Sequence, residues 1–255
     1  MTLSIDSLEL SAPDSEDARS FYTSAFDLPG AEPGVLDLHG SGRLTVEGGA
    51  SSAADDRFSG RVISYIVEQP SEVEALLAAA VSHGAHVLKP AKKGFWGGFS
   101  AVFRAPDGSV WKLATDKKKD SGPAGSPPVP TEVVCVLGVA DPKASKAFYE
   151  TLGMAVDRDY GKKFIDFRPD PGSLRLGLLT PAALAKDAGL EDSGTDPAAA
   201  VLNHRADTRD AVDDLLKTAI DAGGQVADAA AEIDSGEYVG QFTDPDGFVW
   251  KVSSA

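Results

Sequence analysis

The sequence predicts an α+β fold of two tandem domains, each of two βαβββ-like units, and three observations carry that prediction. The block "FRAPDGSVWKLAT" at Phe103 to Thr115 returns as "FTDPDGFVWKVSS" at Phe242 to Ser254. The repeat keeps its register upstream, because one offset of 139 carries Pro106 to Pro245, Val73 to Val212, Leu76 to Leu215, Leu77 to Leu216 and Gly84 to Gly223. Within each copy the apolar spacing runs strand, helix, strands, and then the same again.

In the first copy "SIDSLELSA" alternates as a half-buried strand. Asp14 is placed to cap a helix that puts Ala18, Phe21, Tyr22 and Ala25 on one face. "VLDLHG" and "RLTVEG" read as short strands. The next unit opens with "RVISYIVEQ" and continues into a helix, with Ser71 and Glu74 spaced as a capping box. That helix buries Val73, Leu76, Leu77 and Ala80 and stops at Gly84. Strands at 85–88, 99–104 and 110–114 close the unit. The PDG before the last strand is a turn signal, with Pro106 fixing φ and Gly108 free to take a positive one.

Upstream, Phe21 and Tyr22 match Phe148 and Tyr149 at an offset of 127, so the second copy has gained 12 residues. The stretch from Pro181 to Pro197 is the simplest place for them, and insertions belong in surface loops. The domains are then 1–115 and 131–255, each large enough to bury its own core. Residues 116–130, with "DSGPAGSPPVP" after three lysines, read as an exposed linker whose prolines hold the halves apart.

Composition, 42% hydrophobic and 25% charged, is that of a soluble globular protein. The formal charge of −15 divides as −6 over 1–115, +1 over 116–130 and −10 over 131–255, which argues against nucleic acid as a partner. No apolar run spans a bilayer and no leader is visible, so no membrane partner and a cytoplasmic location are expected. The single cysteine, Cys135, sits in "VVCVLGV" as a buried apolar residue and excludes an internal disulfide.

The helix segments "ARSFYTSAFDL" and "SKAFYETLGM", the helix ends "AVSHGAHV" and "AIDAGGQV", and the blocks "FWGGFSAVFRAPDGSVWKL" and "EYVGQFTDPDGFVWKV" occur in the same order in both copies. As a set they resemble the vicinal oxygen chelate superfamily, which includes glyoxalase I, extradiol dioxygenases and bleomycin-resistance proteins. The resemblance covers nearly the whole chain. It implies that two βαβββ units form a curved, half-open sheet around a ligand cavity. Two such halves often pack across a shared face, which implies a monomer with an internal pseudo-dimer, or a homodimer.

The resemblance also implies a divalent metal held by His, Glu or Gln. The matching positions here are Ser7 and Val134, Thr45 and Gly177, Val62 and Val201, and Lys112 and Lys251. None is a good ligand, and a lysine ammonium has no lone pair to give. No metal and no other cofactor are therefore expected.

Strand parity nominates what the cavities hold instead. Lys112 and Lys251 face inward, as do Ser64 and Ile66 in the first copy and Asn203 and Arg205 in the second. Glu9 shares a face with Ser7, and Glu47 with Thr45. Such a lysine can act as a base, a Schiff-base nucleophile or an anchor for an anionic group, or can pair with an acid such as Glu9 or Glu47 in place of the metal's charge. Trp111, Trp250 and His204 point the other way. Phe95 and Trp96, beside Gly97 and Gly98, lie where the resembling family has a cavity mouth, and suit a flat ligand.

Three readings follow. The first is a metal-free protein that binds a small molecule, sequestering a natural product or drug, cationic or aromatic. The second is a lyase-like or dioxygenase-like enzyme using Lys112 and Lys251, or a displaced metal at Glu9 and Glu47. The third is a tandem interaction module without ligand. Site candidates are Lys112 and Lys251 for catalysis, and Glu9, Glu47, Ser64, Phe95, Trp96, Asn203 and Arg205 for binding.

Overall fold

The computed structural model describes residues 2–49, 58–94, 98–192 and 200–255; Phe95 and Trp96 lie outside them. The first copy runs β1 (Ser7–Ala12), α1 (Ser15–Phe26), β2 (Gly30–Glu32), β3 (Val35–Asp37) and β4 (Arg43–Gly48). Its second unit runs β5 (Arg61–Ile66), α2 (Pro70–Ser82), β6 (His86–Lys93), β7 (Phe99–Arg104) and β8 (Val110–Thr115). The second copy runs β9 (Glu132–Gly138), α3 (Pro142–Thr151), β10 (Val156–Asp159), β11 (Ile165–Phe167), β12 (Arg175–Leu179) and α4 (Pro181–Ala188). It closes with β13 (Ala200–Arg205), α5 (Arg209–Asp221), β14 (Gln225–Glu232), β15 (Tyr238–Thr243) and β16 (Val249–Ser254).

The two βαβββ units per copy are present as expected. The Asp14 side chain accepts the Glu16 and Asp17 amides at 3.0 Å, and Ala18, Phe21, Tyr22 and Ala25 are buried. The start of α2 differs from expectation. Pro70 occupies its first turn, Gln69 is the N-cap but makes no side-chain bond to the helix's own amides, and Ser71 lies inside the helix. The Ser71 amide is instead satisfied by Asp120 at 2.9 Å, and Glu72 accepts the Glu68 amide at 3.0 Å. Gly108 takes φ of 88° in the PDG turn, where its missing Cβ is required.

The pairing of units is not the one expected. The first unit of the first copy joins the last unit of the second in one sheet, ordered β14-β15-β16-β13-β1-β4-β3-β2. The two central units form the other, ordered β10-β11-β12-β9-β5-β8-β7-β6. Exchanging the copies maps one order onto the other, which is an internal two-fold relation. The seams are antiparallel, with Ser7 opposite Asn203 and Ser64 opposite Val134. A sheet completed by the other copy satisfies the edges that β1, β5, β9 and β13 would otherwise expose.

The units of one copy meet on their helical sides. Phe26 of α1 lies 5.0 Å from Tyr65 and 5.1 Å from Trp111, ring centre to ring centre, so a helix resting on one sheet packs against the other. One large core of inward-facing side chains runs through both copies. The opposite, concave faces look outward.

The linker is exposed but does not separate the halves. The Gln69 side chain accepts the Ser121 and Gly122 amides, and Glu72 accepts that of Gly125 at 3.0 Å, which fastens the linker across the start of α2. No helix among the described residues is long and apolar enough to cross a membrane.

Candidate functional site

Each concave face holds a cavity, and the cross-copy pairing decides its contents. On β1, Ser7 and Glu9 are partly exposed while Leu8 and Leu10 are buried; β4, β13 and β16 alternate in the same way. A row of side chains Arg43, Ser7, Asn203 and Lys251 therefore crosses four neighbouring strands. On the other sheet the corresponding row is Arg175, Val134, Ser64 and Lys112.

The first row belongs to a polar cavity of about 670 Å³ that also takes in Glu9, Glu47 and Arg205. Lys251 Nζ donates to Glu9 Oε2 at 2.6 Å, so the first strand of one copy and the last strand of the other supply the two charges of one ion pair. At its end, burial raises the Asp6 pKa, but hydrogen bonds from His204, the Arg205 amide, Ser4 and Ser173 outweigh it and hold the group far below its ordinary value. His204 is buried on its strand, as parity requires, with Nδ1 3.2 Å from the Ser4 nitrogen and 3.5 Å from Asp6 Oδ2.

The second cavity, about 770 Å³, combines an apolar wall of Val62, Ile66, Val134, Val136, Phe164, Leu179 and Leu184 with the charged side chains Glu68, Asp116, Lys117, Glu132, Arg158 and Lys163. Such a size and lining suit a drug-sized molecule. Val102, Val110 and Phe58 extend the apolar surface beneath. Ser64 and Lys112 lie in its floor.

Its roof is α4. Within the second copy, Val134 faces Arg175 where Ser7 faces Arg43, an offset of 132, so five of the 12 extra residues precede β12 and seven follow it. The first part of the stretch expected to be a surface loop, Pro181–Ala188, is thus a helix, capped at Gly189 with φ of 81°. Leu184, Ala185 and Ala188 are 1%, 1% and 0% exposed against the concave face. Burying Leu184 alone is worth about 2 kcal/mol, enough to hold a two-turn helix that has no stability in isolation.

Two lysines of the first copy fasten the end of this helix. Lys112 Nζ donates to Asp187 Oδ2 at 2.6 Å. Lys89 Nζ donates to the Lys186 and Asp187 carbonyls at 2.6 and 2.7 Å, the exposed acceptors of a helix C-terminus.

The structure thus divides the predicted residues. Glu9, Glu47, Asn203, Arg205 and Lys251 share one cavity; Ser64 and Lys112 share the other. Asp187, Lys89 and Leu184 were missed, because α4 lies in the inserted stretch and offers no repeat to compare.

The residues do not fit the divalent metal that the fold implies. Asn203 and Ser64, rather than Val201 and Val62, align across the seam with Ser7 and Val134, which shifts the expected ligand position by two. The resulting sets, Ser7, Asn203 and Lys251 or Val134, Ser64 and Lys112, supply neutral oxygens or nothing beside an ammonium. Glu9, the carboxylate nearest that set, already accepts from Lys251. Among the described residues no three His, Cys, Asp or Glu side chains come together as a metal cluster. Cys135 is buried in the core, where burial pushes its thiol up to about 12, an inert group.

The sequence profile described as "Glyoxalase/Bleomycin resistance protein/Dioxygenase superfamily" matches residues 4–113 and 133–252. Among solved structures, glyoxalase I from Zea mays is similar over 99% of this chain and 92% of its own, at TM-score 0.65 and 15% identity. A putative dioxygenase from Bacillus subtilis is similar over 99% and 85%, at TM-score 0.64 and 14% identity. At such identities the likeness concerns the fold. A comparison with curated protein sequences returns no match.

Proposed function

The chain belongs to the glyoxalase/bleomycin resistance protein/dioxygenase superfamily, and we propose that it serves there as a metal-free binding protein for a small, largely apolar molecule held beneath α4. The observation that supports this reading is the hollow of about 770 Å³ that sets Val62, Ile66, Val134, Val136, Phe164, Leu179 and Leu184 together beneath α4. Where the resembling family has a metal ligand, Lys112 supplies a fixed positive charge instead. Its Nζ already donates to Asp187, an engagement that suits anchoring rather than proton abstraction or attack on a carbonyl.

The test is titration with N-phenyl-1-naphthylamine, a neutral apolar fluorophore, on protein pretreated with a chelator. Saturable binding in the micromolar range or tighter is expected. Ala183 lines the cavity but is exposed, so Ala183→Trp fills the space without disturbing the packed face of α4 and should abolish binding. Binding that needs an added divalent metal, or that survives Ala183→Trp unchanged, contradicts the reading.

A further inference from the structure

We propose that the α4-roofed cavity selects apolar ligands bearing one anionic group, and that Asp187 occupies Lys112 as an internal stand-in for that group until the ligand displaces it. The inference rests on the binding function above and adds the chemical class of the ligand and the device that admits it.

The chain as a whole carries −15, yet the surroundings of Lys112 and Asp187 at the end of α4 are rich in lysine. Lys92, Lys112 and Lys186 all act on Lys89, against the single carboxylate of Asp187. Partial burial, followed by these like charges, holds the Lys89 pKa below its ordinary value despite Asp187. The rest of the lining sets Glu68, Asp116 and Glu132 beside Lys117, Arg158 and Lys163, so the positive excess is confined to the end of α4, around Lys112 and Asp187.

Geometry then makes Asp187 the displaceable member. Lys112 stands in the middle of a strand, with Trp111 and Leu113 buried on either side, so its position is fixed by the sheet. Asp187 stands near the end of a two-turn helix, and its side chain is 43% exposed against 24% for Lys112. The carboxylate can swing to water, whereas the ammonium stays at the apolar floor. Lys89 keeps its hold on the α4 carbonyls in either state, so the helix end stays tethered while the lysine charge changes partner.

A ligand of the required kind has an apolar body filling the space between Phe164, Val134 and Leu184 and a carboxylate, sulfonate or enolate at Lys112. The exchange replaces one part-desolvated ion pair by another and leaves no buried ammonium unpaired, which is the costly alternative. A neutral ligand leaves the Asp187 pair intact and gains only the apolar contacts.

The test uses two probes that differ by one sulfonate, 8-anilino-1-naphthalenesulfonate and neutral N-phenyl-1-naphthylamine, titrated against the intact chain. Asp187→Ala is expected to tighten sulfonate binding by about tenfold, the scale of a part-buried ion pair, and to leave the neutral probe within about twofold. Adding Lys112→Met to Asp187→Ala should erase the gain. Equal effects on both probes, or a gain that survives Lys112→Met, overturn the inference while neutral-probe binding sustains the cavity itself. Failure of both probes to bind overturns both readings.

Discussion

The Tyr22 hydroxyl donates to Asp107 Oδ2 at 2.6 Å, tying the first helix of a copy to the turn before its last strand. Trp111 Nε1 donates to the same hydroxyl at 3.2 Å, and all three groups are buried. The second copy makes the same bond from Tyr149 to Asp244, also at 2.6 Å. The acid has moved, however: Asp107 follows its proline and Asp244 precedes its own. Two drifting copies have kept the contact by different residues, which marks it as structural. Tyr22→Phe keeps the ring packing and deletes the donor, and should cost about 1–3 kcal/mol in urea denaturation. A change below about 0.5 kcal/mol contradicts this assignment.

Stability should carry a pH signature from Asp244. Burial lifts its pKa from 3.8 to about 6, although Tyr149 and the Phe248 amide donate to it. The folded state then holds this proton more tightly than the unfolded chain. Its contribution to stability is therefore greatest below the unfolded value, declines as pH rises towards 6, and is level above that. Asp244→Asn preserves an acceptor for the Asp246 and Phe248 amides and cannot ionise. The difference between variant and wild type should grow in the variant's favour between pH 4 and 6, by on the order of 3 kcal/mol. A pH-independent difference contradicts it.

Because each sheet contains strands from both copies, a cut in the linker should not release the halves. With a specific protease site placed between Gly122 and Ala124, the cleaved chain is expected to elute at the size of the intact protein and to part only in denaturant. Two independently eluting fragments would contradict the cross-copy sheets.

In the polar cavity, Lys251 and Glu9 should behave as a coupled pair. Lys251→Met leaves a part-buried carboxylate unpaired and should cost about 1–3 kcal/mol, whereas the double variant Glu9→Gln, Lys251→Met should recover most of it. Strict additivity in a double-mutant cycle would show that the 2.6 Å contact carries no coupling.

The fold was legible because period and repeat are local properties. Alternation placed Glu9, Asn203 and Lys251 on one face, and Trp250 on the other, without any knowledge of neighbours. What alternation cannot give is which strand lies beside which. The seam between Ser7 and Asn203 joins residues almost the whole chain apart, and the repeat is equally consistent with units paired within a copy or between copies. That ambiguity put Glu9 and Lys112 in one imagined cavity, while the structure gives Glu9 to Lys251 and Lys112 to Asp187. The helix α4 was hidden for a different reason. Its sequence, "PAALAKDA", has only Leu184 as a large apolar anchor, and its place is fixed by the concave face and by Lys89 and Lys112. The linker's docking on Gln69 and Glu72 is likewise tertiary.

The most direct test of the central claim, that the cavity beneath α4 holds a small apolar ligand, is amide hydrogen exchange with and without saturating N-phenyl-1-naphthylamine. The account predicts slowed exchange in α4 and at the ends of β5, β8, β9 and β12, with β1, β13 and β16 unchanged. Protection centred on β1, β13 and β16, or none anywhere, would contradict it.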